Sequence, residues 1–193
     1  MKYLLLVVLL SFFSCKKSGE AHKLGTDINN AEPSIYKYEK PELPEGALRA
    51  DFIGNQDSVY AFIKEIDAST ETTLIGFENK KLPEITIPES VGAELHILKL
   101  KNFVNDVLLV NAKLKDTNFN EYYLFVWEDS IWKQPANRFD IHKSNMTDTL
   151  IPIKNNPKDS TQLLRYYSVF DMDRTSGKKY SWKLMQESIP IEE

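Results

Sequence analysis

A mainly β fold, an antiparallel β-sandwich or small barrel of about eight short strands, is what the sequence predicts, on three observations. Runs rich in Val, Ile, Tyr, Phe, Trp and Thr recur through residues 47–193, and turn-forming clusters separate them roughly every ten residues. One run, Glu121 to Asp129, is apolar on both faces, with Tyr123, Phe125 and Trp127 on one and Tyr122, Leu124 and Val126 on the other. Such a strand is central and covered twice. Hydrophobic residues make up 42% of the chain and aromatics 11%, enough for a real core, so wholesale disorder is excluded.

Taken in order, the folded part opens at Asp51-Phe52-Ile53. From Gln56 to Asp67 two periods compete. Val59, Phe62, Ile63 and Ile66 fall at helical spacing, with Asp57 or Ser58 as N-cap, so a short helix over 57–67 is expected, with a strand as the alternative these β-formers allow. Thr72 to Glu78 predicts a strand, Glu84 to Pro88 a short edge strand fenced by Pro83 and Pro88, and Glu94 to Phe103 a longer one. Val107 to Lys115 alternates, with Leu108, Val110, Ala112 and Leu114 on one face and Asn111, Lys113 and Lys115 on the other. Asp116 to Asn120 links it to Glu121–Asp129 as a hairpin.

Ser130 to Lys133 begins another short element before Pro135, and a short strand around Thr149 to Ile153 precedes a surface loop at Asn155–Ser160. Leu163 to Met172 and Lys179 to Glu187 form a closing hairpin about the turn Asp173–Lys178, with Tyr180, Trp182 and Leu184 facing inward. The two hairpins share no residue-level repeat, and such units are too few for a propeller.

The N-terminus carries an address rather than a fold. Met1 and Lys2 precede an apolar run from Tyr3 to Leu10, which continues through Ser11-Phe12-Phe13-Ser14 to Cys15. A positive start, a short greasy stretch and a small residue before the cut describe a cleavable signal over 1–14. A membrane-spanning helix needs about 20 apolar residues, so this run is too short to be one. Ser11-Phe12-Phe13-Ser14-Cys15-Lys16-Lys17 resembles the lipobox of bacterial lipoproteins in its relaxed, Bacteroidota-type form, with Phe12 where the strict pattern has an aliphatic residue. The resemblance covers only these first 17 residues. It implies lipidation of Cys15 by a diacylglycerol thioether and further acyl chains such as palmitate, with Cys15 as the new N-terminus. Two or three chains hold firmly where one is marginal.

Cys15 is the only Cys, so an exported body has no internal disulfide and stands on its core alone. From residue 15 to 46, Lys, Glu, Asn, Pro33, Pro41 and Pro44 describe a flexible tether of root-mean-square span about 30 Å. Ile35, Tyr36 and Tyr38 are its apolar exceptions, placed to dock its end on the body. Residues 47–193 then form a single β-rich domain. The chain carries a formal charge of -4; export removes one of its 24 basic side chains, Lys2, and none of its 28 acids, which leaves -5. With no basic face, nucleic-acid binding has no electrostatic driving force.

No constellation points to catalysis. Gly-x-Ser-x-Gly, a second Cys, a Ser-x-x-Lys site with its partners and a Gly-rich phosphate loop are all lacking. Asp171-Met172-Asp173-Arg174-Thr175-Ser176-Gly177 starts like a calcium loop, but its Gly is one place late and Trp182 stands at the twelfth position, so it reads as a hairpin turn. Asp140 and His142 sit two apart with Asp148 near in sequence, too few ligands for a metal centre; His22 lies in the tether and His96 among apolar strand residues. No metal and no cofactor is expected. Aromatic residues offer a stacking platform for sugars, and Trp132, Tyr122 and Tyr166 are the candidate ligand-binding residues, Trp132 being the one placed to reach a surface; Trp127 and Trp182 read as core.

The sequence therefore points to a membrane-anchored, non-catalytic binding lipoprotein of the cell envelope. It would hold a protein partner, an immunity-type inhibitor of an extracytoplasmic toxin being one version, since an acidic surface suits a basic partner. A glycan or small-ligand binder is the alternative, and a hydrolase built on scattered carboxylates ranks last. In the resembled family, acids soon after the Cys mark surface export; here Lys16-Lys17 come first, which favours a periplasm-facing address.

Overall fold

The computed structural model describes residues 42–191 apart from Asn79, Lys81, 174–176 and Lys178. The signal over 1–14, Cys15, the apolar docking residues at 35–38 and nearly all of the 15–46 tether lie outside the described residues, as does most of the turn at 173–178. Residues 41–193 form one compact unit. Among the described residues there are twelve strands in three antiparallel sheets, with no closed barrel, and the fold is a β-sandwich.

The first sheet runs β1 (Leu48–Ala50), β2 (Val59–Asp67), β3 (Thr72–Phe77) and β4 (Ile85–Ile87) in that order. The second runs β5 (Ala93–Leu98), β6 (Val107–Lys113), β7 (Phe119–Glu128) and β8 (Ile131–Lys133), with β9 (Phe139–His142) also paired to β7. The third is β10 (Ile153–Asn155), β11 (Gln162–Met172) and β12 (Tyr180–Pro190). A single 3-10 turn, Lys143–Asn145, follows β9. The strand count exceeds the expected eight because β1 and β9 have only three or four residues each, too short to leave an alternation in sequence; β8 falls where Ser130 to Lys133 predicts a short element, whereas the strand expected around Thr149 to Ile153 lies instead at Ile153–Asn155.

The expected helix over 57–67 is instead β2, and the cause is a β-bulge. Ile63 pairs with Ile75 but Glu65 pairs with Leu74, so Lys64 is the extra residue. The bulge resets the alternation: Val59, Ala61 and Ile63 face inward before it, and Ile66, opposite buried Thr73, shares that face after it. Val59, Ile63 and Ile66 are therefore spaced i, i+4, i+7, the helical signature, on a strand whose face has been shifted by one residue.

The middle sheet separates two cores. Leu108, Val110 and Ala112 of β6 with Tyr123 and Phe125 of β7 meet the first sheet through Ala61, Ile75, Phe77 and Ile87. Val107 and Leu109 with Tyr122, Leu124 and Val126 meet Ile141 of β9 and Ile153 and Leu163 of the third sheet. β7 is thus covered on both faces, as its two-sided apolar sequence requires. Its return into β8 passes through Asp129 and Ser130, with φ of 52° and 64°, so both central turn residues are left-handed, as a two-residue type I′ hairpin demands.

The ends of the cores are pinned by polar bonds. The Asp51 backbone N–H donates to the Asp106 carboxylate at 2.9 Å and the Asp106 N–H returns to the Asp51 carbonyl at 2.9 Å, tying the first sheet to the middle one. Asp51 also accepts from the Gly54 and Gln56 backbone amides at 2.7 and 3.0 Å, which closes a tight loop there.

Candidate functional site

The third sheet has three strands against the middle sheet's five, and the second face of the middle sheet is left partly uncovered. The result is a groove of about 730 Å³. Its floor takes alternate residues of β6 and β7, Leu109 with Asn111 and Asn120 with Tyr122, and all of β5 from Glu94 to Leu98, with Leu48 of β1 at its margin. Glu94 lies opposite Asn111 and Asn111 opposite Tyr122, so one rung crosses three strands. The next rung, His96 opposite Leu109 and Leu109 opposite Leu124, is more apolar. Polarity thus changes along the groove within two residues of strand.

The outer wall is the segment from Met146 to Pro152 between the 3-10 turn and β10. It is held by short local bonds, the Met146 N–H to the Lys143 carbonyl at 3.1 Å and the Leu150 N–H to the Thr147 carbonyl at 3.0 Å, and by the Tyr166 N–H to the Pro152 carbonyl at 2.9 Å. Tyr122 is buried, and its hydroxyl donates to the Met146 sulfur at 3.7 Å, which joins wall to floor. Burial pushes that phenol up to about 12, so it stays protonated at neutral pH. Lys113 bridges to Glu94 at 3.1 Å on the exposed rim, while Asp148 adds a second carboxylate on the wall.

A separate polar cluster sits over the first core. Glu121 is 6% exposed, and its carboxylate accepts the Tyr123 hydroxyl at 2.9 Å and faces Arg138 Nη1 at 3.2 Å. The same Nη1 reaches Glu89 at 3.2 Å and donates to the Tyr123 oxygen at 3.2 Å. Burial raises the Glu121 carboxyl above the usual range, with Tyr123 and Arg138 pulling the other way. Every partner in this cluster is another side chain of the chain itself, so it clasps β7, the β4–β5 loop and the approach to β9 rather than presenting a free group.

The three sequence candidates do not converge. Trp132 is half-buried against the first core: its ring stacks on Phe77 at 5.0 Å, meets Phe52 and Trp127 edge-on at 5.6 and 5.3 Å, and its Nε1–H donates to the Pro83 carbonyl at 2.9 Å. Tyr122 lies on the opposite face of the middle sheet, in the groove floor. Tyr166 packs against the second core with Lys154 Nζ over its ring at 5.2 Å, and it serves the groove through its backbone. Asp140 is exposed, whereas His142 stacks on Trp182 at 5.0 Å and its Nδ1 meets the Ser144 hydroxyl at 2.8 Å. Among the described residues no three His, Cys, Asp or Glu side chains gather as metal ligands.

Of the groove residues the sequence marks only Tyr122 as a ligand candidate, and the signal for the others is slight. On β6 the second face reads Leu109, Asn111, Lys113, a drift from apolar to polar that marks where coverage by the third sheet stops. The 146–152 wall carries no periodicity at all. Comparison with known proteins finds no family model, no curated protein and no solved structure that matches this chain.

Proposed function

We propose that this chain is a membrane-anchored, non-catalytic binding lipoprotein of the cell envelope, periplasm-facing, which holds a protein partner by an amphipathic segment laid in the groove between β5–β7 and the 146–152 wall. The observation that carries the binding site is the graded floor, from Glu94, Asn111 and Asn120 to Leu98 and Leu109, in a cleft of about 730 Å³. Grooves of that size with few polar groups on an apolar bed are the usual shape of ligand sites. The anchor rests on the lipobox-like residues 11–17 and the lone Cys15. A net acidic chain with Glu94 and Asp148 on the groove favours a basic segment, in keeping with an inhibitor of a basic toxin.

Two measurements test the reading. Mass spectrometry of the native protein should find Cys15 as an acylated N-terminus; an unmodified thiol with residues 1–14 attached would remove the anchor. For the groove, His96→Trp and Thr147→Trp each fill it from an exposed position. Proteins recovered with the wild-type chain from solubilised envelope should be lost with both variants while melting stays unchanged. Equal recovery with the filled groove, or saturable binding of a glycan instead, overturns the partner reading.

A further inference from the structure

β12, Tyr180–Pro190, ends its sheet, with β11 along one edge and no strand among the described residues along the other. Bare edges of this length are templates for further pairing, and chains that remain single shorten, bend or charge them. Here there is no bulge in the β11–β12 register, and Pro190 comes only at the strand's end. Leu184, Met185 and Gln186 are all exposed, so at mid-strand both faces and the edge are open at once. Phe170, Met172, Tyr180, Leu184 and Met185 are exposed large apolar residues of the same hairpin, between 37% and 59% accessible.

The direction of each backbone group follows from one bond. The Asp173 N–H donates to the Lys179 carbonyl at 3.2 Å, so odd-numbered residues of β12 turn their N–H and C=O toward β11. The Tyr166 N–H going instead to the Pro152 carbonyl, on the β10 side, agrees with that parity. Trp182, Leu184, Gln186 and Ser188 therefore present their backbone donors and acceptors outward. Only certain pairings can use them: an antiparallel partner must also offer an outward row at matching spacing.

We propose that β12 pairs with β12 of a second copy of this chain, antiparallel about a two-fold axis at Met185, joining two three-stranded sheets into one of six strands. In that register Leu184 faces Gln186 of the other copy and Trp182 faces its Ser188, so every outward row finds its match. Lys183 then stands opposite Glu187 of the other copy, and Glu187 opposite its Lys183. Both fall in pairs without hydrogen bonds, where side chains approach most closely and opposite charges stabilise. Shifting the axis to Leu184 or Gln186 keeps the backbone bonds but sets Lys183 against Met185 or Ile189, with no charge complement. Lys183 and Glu187 also have partners within their own chain, Asp171 and Arg165, so each cross-copy pair extends an existing ion pair, and charge favours this register among those the backbone permits. Pro190 ends the ladder, since it brings no N–H to meet Tyr180 of the other copy.

The test uses the full chain. Light scattering at submillimolar concentration should give twice the chain mass. Gln186→Pro removes one outward N–H that the chain's own sheet does not use, a substitution edge strands accept. It should halve the mass and leave the circular dichroism unchanged. Met185→Cys brings two sulfurs together across the axis, at Cα separations of about 4.5 Å. It should cross-link under mild oxidation far faster than Leu184→Cys, whose sulfurs lie on a diagonal, with the parent chain and its Cys15 as baseline. A wild-type monomer, a dimer that survives Gln186→Pro, or cross-linking through Leu184→Cys as fast as through Met185→Cys overturns the proposal. If Gln186→Pro does not fold, the two cysteine variants decide.

Discussion

Replacing Trp132 with Ala tests whether this ring is a fastening of the first core or a free surface. The side chain has three ring neighbours, Phe77 at 5.0 Å, Trp127 at 5.3 Å and Phe52 at 5.6 Å, and one hydrogen bond, to the Pro83 carbonyl at 2.9 Å. Aromatic pairs contribute about 0.5–1.5 kcal/mol each beyond the area they bury, and a hydrogen bond of this kind about 1 kcal/mol net. The ring is half-buried and its contacts are not additive, so the expected loss is about 3 kcal/mol. In a domain of about 150 residues that lowers the melting temperature by about 6–12 °C. Trp132→Phe keeps a ring in place and frees a carbonyl beside exposed Pro83 to meet water, which costs about 1 kcal/mol. Urea unfolding followed by far-ultraviolet circular dichroism measures both. A loss below about 1 kcal/mol for the Ala variant, or equal losses for Ala and Phe, would show that the ring cluster contributes little and that Trp132 is available for a ligand after all.

Other perturbations probe separate links. Because burial raises the folded-state carboxyl of Glu121, its contribution is greatest below the unfolded value near pH 4 and is lost as pH rises through the folded one; the stability of the wild type relative to Glu121→Gln should therefore fall from acid toward neutral pH, and a flat or rising trend refutes the burial argument. Asp67 behaves oppositely: hydrogen bonds from Ser69 and Thr70 hold its carboxyl down to about 2, so its signal in a nuclear magnetic resonance titration should still move well below pH 3.8 and should shift upward in Ser69→Ala. Ser130→Gly relieves a left-handed φ of 64° in the β7–β8 turn and should raise stability by about 0.5 kcal/mol in urea unfolding. Gly54→Ala places a Cβ 2.1 Å from the Asn105 side-chain oxygen at φ of +78°, and the Asn105 amide is held by the Trp127 carbonyl at 3.0 Å; a loss of about 2 kcal/mol is expected by the same assay.

How much of this was legible depended on whether a residue's neighbours in space were also its neighbours in sequence. The β6–β7 hairpin is legible to within about two residues at each strand end, because alternation and a turn-rich link act locally and the two-sided strand announces two cores. The β2 strand reads as a helix in sequence because one bulged residue converts a period of two into helical spacing, and the Lys64 that causes it is an ordinary exposed residue. On β12, Tyr180 and Leu184 were expected to face inward with Trp182, yet they are 51% and 37% exposed while Trp182 packs on Phe119 and His142. The shared face was right; what the alternation does not encode is that the hairpin outruns the layer beneath it. The groove was illegible for a related reason: it exists where a three-stranded sheet fails to cover a wider one, a mismatch in extent that no local pattern records. The short segment around Trp132 suggests a surface position, but the partners that bury half of the ring, Phe52, Phe77 and Pro83, are some 50 to 80 residues away.

That Phe119–Glu128 is flanked by strands along its length and sheathed above and below sets how the chain tolerates being cut. A version ending before Gln162 would leave Val107, Leu109, Leu124 and Val126 as a bare greasy sheet, a stacking surface for other unfinished copies. Shortening from the C-terminal side is therefore expected to yield aggregates instead of a smaller soluble unit. The final thirty residues are thus the lid that renders the middle of the molecule safe to expose to water.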